Sequence, residues 1–319
     1  MKKLNLNDFE HSFPLFGGCA LAIDGDSTSF QPELILKLPH MYSIFLSGTH
    51  LLERKDFMEI FAYAHRKASH VILTADVEAS EKILSLVSAY PSTGIRILLT
   101  GIDETGSTAY QKYQATMVLF DQLRNIGCRN IGVSMRINDA NAQDAMRLYE
   151  TCSCNGLRFE ITGVSAGSVS KKSVNALHFI TNRMCRNDGL NGLFEALFIN
   201  ELKQIIEGEE SDYYCECGNN FFTVDQYGYI HSCLALDKDH AMGNLNDSTF
   251  ENIWESKKAQ IIRHHCEHCR QHCFMRNQLS VAVKRDPITT IPKILNFKNQ
   301  ANACKGMRAE RKTTIHPHD

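Results

Sequence analysis

The chain has no excess of either charge: its 34 Lys and Arg stand against 36 Asp and Glu over 319 residues. Nothing in that balance points to nucleic acid or a charged membrane surface. Apolar runs are short. None reaches the ~20 residues that a helical membrane span requires, so no membrane partner is expected. The opening Met-Lys-Lys-Leu-Asn-Leu-Asn-Asp has no continuous apolar stretch after its lysines, so a secretory signal is not expected either. Internal repeats and low-complexity blocks are missing, which sets solenoids and linker-like chains aside. Tryptophan occurs once, at Trp254, and reads as a packing anchor.

What is present is an ordinary globular composition, 43% apolar and 22% charged, with twelve cysteines. The length suits one large domain plus a small one. Twelve thiols without a secretory signal argue for metal ligation in a reducing cytoplasm rather than for disulfides.

Six short β-rich runs punctuate the first two-thirds: Cys19–Asp24, Tyr42–Ser47, His70–Thr74, Ile95–Thr100, Asn130–Met135 and Leu157–Thr162. Most are near-continuous apolar stretches, as strands covered on both faces require. Amphipathic segments such as Lys55–Lys67, Glu78–Ala89, Tyr113–Ile126 and Ala140–Cys152 separate them. Six βα units give a parallel sheet, open or curled into a partial barrel, with ligands at the C-terminal strand ends. Those ends are small and polar, including Ser47-Gly48, Thr74 and Asp103. Residues of that kind also end strands and cap helices without binding anything. After the helical stretch Asn191–Gly208 the character changes, which puts a boundary near residue 210, between domains 1–210 and 211–319.

The second domain carries the cysteine pattern. Cys217 and Cys233 flank a segment with a turn signal at Gln226-Tyr-Gly228, and Cys266-Glu-His-Cys269-Arg-Gln-His-Cys273 follows. A CxxC pair brings two thiolates to one metal from a tight turn, and the hairpin pair closes the coordination sphere. Cys215 and Cys304 are further candidates. Seven thiolates complete one four-cysteine cluster but not two; His264, His265, His268 and His272 lie near enough in sequence to be considered for a second. Spacing alone leaves iron–sulfur and zinc open. Cys19, Cys128, Cys152, Cys154 and Cys185 lack partner spacing and read as ordinary thiols.

With those motifs in view the chain resembles the radical S-adenosylmethionine (SAM) enzymes that carry a SPASM domain. Residues 213–275 carry the closest resemblance, through Phe222-Thr-Val-Asp-Gln-Tyr-Gly-Tyr-Ile-His-Ser-Cys233, Met242-Gly-Asn-Leu-Asn-Asp and Phe250-Glu-Asn-Ile-Trp254. It implies a radical-SAM-type partial (β/α)6 barrel followed by a small cysteine-rich domain holding [4Fe–4S] clusters. Leu46-Ser-Gly-Thr-His50 looks like the family's Gly-Gly-Glu-Pro segment, with Thr49 and His50 where Glu and Pro stand. Ser47, Gly48, Thr74 and Asp103 then become the expected contacts of SAM or substrate.

The departure lies at strand one, which runs Ala20-Leu-Ala-Ile-Asp24-Gly-Asp-Ser-Thr-Ser-Phe-Gln-Pro32. The family follows this strand with CxxxCxxC, whose three thiolates leave one iron open to SAM. No such motif occurs anywhere in this chain. The expectation is an iron–sulfur protein of this descent without its own standard SAM cleavage. It would be an accessory or binding subunit working with a peptide or protein substrate or a companion radical SAM enzyme. Two alternatives stand beside it: a maturase using SAM or an auxiliary cluster in a non-standard way, and a zinc-stapled interaction module.

Overall fold

The computed structural model describes residues 16–25, 29–102, 107–164, 170–187, 189–207, 217–232 and 240–267. Six parallel strands, β1 (Phe16–Ala22), β2 (Met41–Ser47), β3 (Ala68–Ala75), β4 (Gly94–Leu98), β5 (Ile131–Ile137) and β6 (Arg158–Val164), lie side by side in chain order. All six expected strands are therefore found, with ends shifted by a few residues at most. Helices α1 (Phe57–Lys67), α2 (Ser80–Ala89), α3 (Thr108–Asn125) and α4 (Ala142–Cys154) form the crossovers from β2 to β6. A long hairpin of helices follows β6: α5 (Lys171–Asn187) and α6 (Gly189–Ile206).

Alternation along each strand explains the layering. Ile44 and Leu46, Val71 and Leu73, Ile95 and Ile97, Val133 and Met135 all face the helices and join one core. There they meet helix stripes such as Phe57, Ile60, Phe61 and Ala64 of α1, spaced i, i+3, i+4, i+7. Each fully buried residue of this size contributes about 1.5–3 kcal/mol relative to exposure. The opposite face is more polar. It holds a buried ion pair, Arg96 Nε to Glu160 Oε1 at 2.6 Å, with Arg96 also bonded to the Asn130 carbonyl and side chain.

Two features differ from the sequence expectation. The β1–β2 crossover is no α-helix but a six-residue 3-10 helix, Pro32–Lys37, so the first βα unit is abbreviated. Helix α5 was not anticipated from the sequence, and its start is held from elsewhere in the chain. Asp139, in the loop after β5, accepts bonds from Ser170 N, Ser173 N and Ser173 Oγ at 2.9, 3.3 and 2.6 Å.

The cysteine-rich segment extends the same sheet. Strand β7 (Phe221–Asp225) pairs parallel with β1, and β8 (Tyr229–His231) and β9 (Ala241–Asn244) follow antiparallel. The order β6-β5-β4-β3-β2-β1-β7-β8-β9 leaves β6 and β9 at the edges, so the described strands form an unclosed sheet. Helices α7 (Phe250–Glu255) and α8 (Lys257–Glu267) cover β7–β9. Trp254 anchors them, stacking on Phe250 at 5.2 Å and under the Arg263 guanidinium at 4.9 Å. The expected boundary near 210 falls at residues outside the described ones. No helix among the described residues is long and apolar enough to cross a membrane.

Candidate functional site

The ends of β1 and β2 are joined tightly. Ile23 N donates to Ser47 O at 3.0 Å, Gly25 N to Thr49 O at 2.6 Å, and Thr49 N to Asp24 Oδ1 at 3.2 Å. Gly48 has φ +155°, and a Cβ there would stand 1.9 Å from Ile23 O, so only glycine fits this approach. Arg54 adds a clamp. Its side chain, 4% exposed, forms a two-pronged pair with Asp56 at 2.8 and 2.7 Å and donates to the carbonyls of Asp24 and Phe30. The chain leaving β1 is thus bonded back onto the loop after β2, where the resemblance would put the loop of a SAM-binding cluster. Cys19, the nearest thiol, is fully buried on the helix side of β1, and burial pushes its ionisation well above the ordinary thiol range. It is no ligand for that face.

Beside this junction lies a cavity of about 590 Å³ between the ends of β2 and β3 and the start of α3. It brings together two of the four expected contacts, Gly48 and Thr74. Ser47 is not among its lining residues, and Asp103 lies outside the described residues. His50, in the left-handed region at φ 54°, turns its ring onto Glu53 at 3.0 Å. On the far wall Lys112 Nζ meets Glu78 Oε1 at 2.7 Å; that bond holds the Glu78 carboxyl low and the Lys112 ammonium high. The result is a small, polar chamber with both signs of charge on its walls. At the ends of β4 and β5, by contrast, the polar residues are used structurally. Asn141 donates to the Thr100 and Arg136 carbonyls at 2.9 and 3.0 Å.

The second candidate region surrounds Cys217. This residue is fully buried against Ala20 and Phe221, on the side of β1 and β7 away from the main core. Gly218, at φ +83°, allows the chain to turn so closely that a Cβ would meet Ser232 and Arg263 side chains at 3.1 Å. Those neighbours matter because Ser232 immediately precedes Cys233 and Arg263 stands three residues before Cys266. The rings of His240 and His265 also stack, 6.1 Å apart, tying the chain after Cys233 to the last turn of α8. The residues flanking Cys217, Cys233 and Cys266 therefore converge. Cys266 closes α8, while Cys215, Cys233, Cys269, Cys273 and Cys304 lie outside the described residues. One buried thiol, Cys217, with the chain segments that lead to Cys233 and Cys266 brought beside it, fits one side of a four-ligand metal or iron–sulfur site.

Asp225 and His231 in the same hairpin were not singled out from sequence. Asp225 accepts bonds from Tyr227 N and Tyr229 N at 2.9 and 3.0 Å and pairs with His231 Nε2 at 3.1 Å. Burial works to raise its carboxyl, but the His231 bond and the two amides outweigh that and keep it below the usual range. The available signal was the spacing of Asp225 and His231 around Gly228, which puts both on one face of a hairpin.

Comparison with known proteins agrees with this geometry. Residues 215–274 match the SPASM family, described as an iron–sulfur cluster-binding domain. No curated protein sequence matches the chain. The fold is similar to native anSMEcpe with bound AdoMet, at TM-score 0.52 and 14% identity over 89% of this chain and 99% of that one. It is also similar to Streptococcus suis SuiB, at TM-score 0.53 and 12% identity over 77% and 66% of the two chains. SuiB bound to S-adenosylmethionine gives TM-score 0.54 at 11% identity, over 79% and 68%.

Proposed function

We propose, for a chain that carries a SPASM domain on the fold of radical SAM/SPASM enzymes, that it is an iron–sulfur accessory or binding subunit in peptide or protein modification. The cluster would be held by thiolates among Cys217, Cys233, Cys266, Cys269 and Cys273, with Cys215 and Cys304 as further ligands. A [4Fe–4S] cluster there supplies a one-electron carrier and a covalent tie between segments. The chain's own residues position it: Gly218 lets the Cys217 turn close on Ser232 and Arg263, and the Arg263–Trp254 stack fixes α8 beneath.

The observation that carries the accessory role is the closure of the β1–β2 junction. Three backbone-level bonds and the buried Arg54 clamp occupy the place of the SAM-cluster loop, and the segment offers no thiolate. Production of a 5′-deoxyadenosyl radical needs SAM on an open iron, which this region does not provide. The partners that follow are a peptide or protein substrate and a companion radical SAM enzyme, in a reducing cytoplasm.

A second reading has the strand-end cavity in its favour: SAM still binds beside Gly48 and Thr74 without being cleaved there. One experiment separates the readings. Anaerobically purified, reconstituted and reduced protein is assayed for iron, sulfide, SAM binding and 5′-deoxyadenosine. The accessory reading expects a brown protein with about four irons for each filled cubane and no 5′-deoxyadenosine above a protein-free control. Colourless protein with one equivalent of zinc would sink the cluster assignment. Turnover that survives Cys19→Ala but is lost on replacing Cys233 would sink the accessory role.

A further inference from the structure

Strands β7 and β8 place Thr223 opposite His231 on the sheet face away from the main core. Both are deeply buried, at 1% and 6% exposure. His231 Nε2 is engaged by Asp225 Oδ2, while His231 Nδ1 and Thr223 Oγ1 have no hydrogen-bond partner among the described residues. A buried polar atom left unpaired has lost its water with nothing in return. Two such atoms on directly opposed residues mark a place where something else belongs.

The chemistry of the pair narrows what that is. Asp225 is fixed by the Tyr227 and Tyr229 amides and, as a carboxylate, only accepts. His231 Nε2 is therefore the donor to Asp225 Oδ2, which leaves Nδ1 as the ring atom without a partner. An imidazole held by a carboxylate through one nitrogen, with the other free and dry, is the arrangement of a metal-bound histidine. The position agrees. His231 stands two residues before Cys233, and β7, its partner strand, packs Phe221 against Cys217. For a pair of clusters, thiolates alone would fall short, since seven candidate cysteines fill one four-ligand cluster but not two.

We propose that His231 supplies a nitrogen ligand, through Nδ1, to an iron–sulfur cluster held by the Cys217 and Cys233 segments, with Asp225 as the residue that orients the ring. This rests on the cluster reading above. Ligation is through the neutral ring: the Nδ1 lone pair binds iron, the Nε2 proton stays on its bond to Asp225, and no oxidation state changes. Replacing one thiolate by a neutral imidazole removes a negative charge from the cluster, and histidine ligation raises cluster potentials in this way elsewhere.

The test is pulsed electron paramagnetic resonance on the reduced, iron-loaded full chain, with and without ¹⁵N-labelled histidine. Wild type is expected to show a strongly coupled nitrogen that changes isotope with the histidine label. His231→Ala is expected to lose that coupling. Should the alanine variant fail to retain iron, His231→Cys decides: iron retained without the nitrogen signal, at a lowered reduction potential, supports the ligation. Asp225→Asn is expected to keep iron while shifting the nitrogen coupling and the potential. An iron-loaded wild type with no histidine coupling, or a coupling that persists in His231→Ala or His231→Cys, overturns this inference alone. A wild type that binds no iron overturns the cluster reading along with it.

Discussion

Two neighbouring parts of the same sheet carry opposite solutions to the problem of polar groups left by the fold. At the β1–β2 junction the exposed backbone is consumed by the protein itself: amides find Ser47, Thr49 and Asp24, and carbonyls find Arg54. At the β7–β8 hairpin, polar atoms are left over on His231 and Thr223 beside a buried thiol. A region that satisfies its own donors and acceptors is complete without a ligand. A region with surplus buried donors, acceptors and thiolates is built around one. The two regions sit next to each other, since β1 pairs with both β2 and β7, so one strand separates a junction that satisfies itself from one with polar atoms left over.

The comparison can be broken most directly by metal removal. Chelation, or Cys217→Ala, is expected to release nearly all iron and open the 217–267 segment, while β2–β6 stay folded. Hydrogen exchange measured with and without iron reads this; equal protection loss in β3–β5 would contradict the separation. Next in size is Glu160→Ala, which strands the buried Arg96 guanidinium at about 3–5 kcal/mol. That loss is expected to be the same in iron-loaded and iron-free protein by urea unfolding. At the junction, Arg54→Ala should cost about 1–3 kcal/mol by removing the buried guanidinium's hydrogen bonds to the Asp24 and Phe30 carbonyls and to Asp56, again with no change in iron content.

The smallest effect concerns acid. Asp139 is held down to about 2 by its bonds to Ser173 and Ser170. Its folded value lies below its ordinary 3.8, so the unfolded state takes up the proton more readily. Its stabilisation is then complete above that ordinary value and lost as pH falls from 3.8 toward 2. Asp139→Asn is expected to flatten the acid limb of the stability curve without touching iron binding.

How far these regions were legible in sequence varies with how local their causes are. Strands β1–β6 announced themselves as apolar runs because both their faces are largely covered, and α1 and α4 through stripes that recur every three or four residues. The SPASM-like cysteine pattern was legible through spacing, since a turn and a hairpin are short-range structures. Helix α5 was not, because its capping carboxylate, Asp139, lies 34 residues before Ser173 in the chain. The abbreviated β1–β2 crossover was foreseeable only as a short distance; that Arg54 would clamp Asp24 and Phe30 was not, because the guanidinium comes from the far side of the next strand. His231 was hidden for the same reason. Nothing in the string Gly-Tyr-Ile-His-Ser-Cys distinguishes a solvated imidazole from a buried one with a carboxylate behind it.

Composition, periodicity and cysteine spacing by themselves determined an α/β chain with a cysteine-rich end and no thiolates after its first strand. These are properties of residue type and short-range order, and they survive without knowledge of any contact. Only the tertiary structure decided that β7 docks parallel on β1 and continues one sheet, because parallel pairing joins segments some two hundred residues apart and depends on register and twist rather than on local preference. The same long-range packing decided which polar atoms were paired and which were left over. A hydrogen-bond deficit belongs to an environment, and the environment of Thr223, Asp225 and His231 exists only once β1, β7 and β8 have come together.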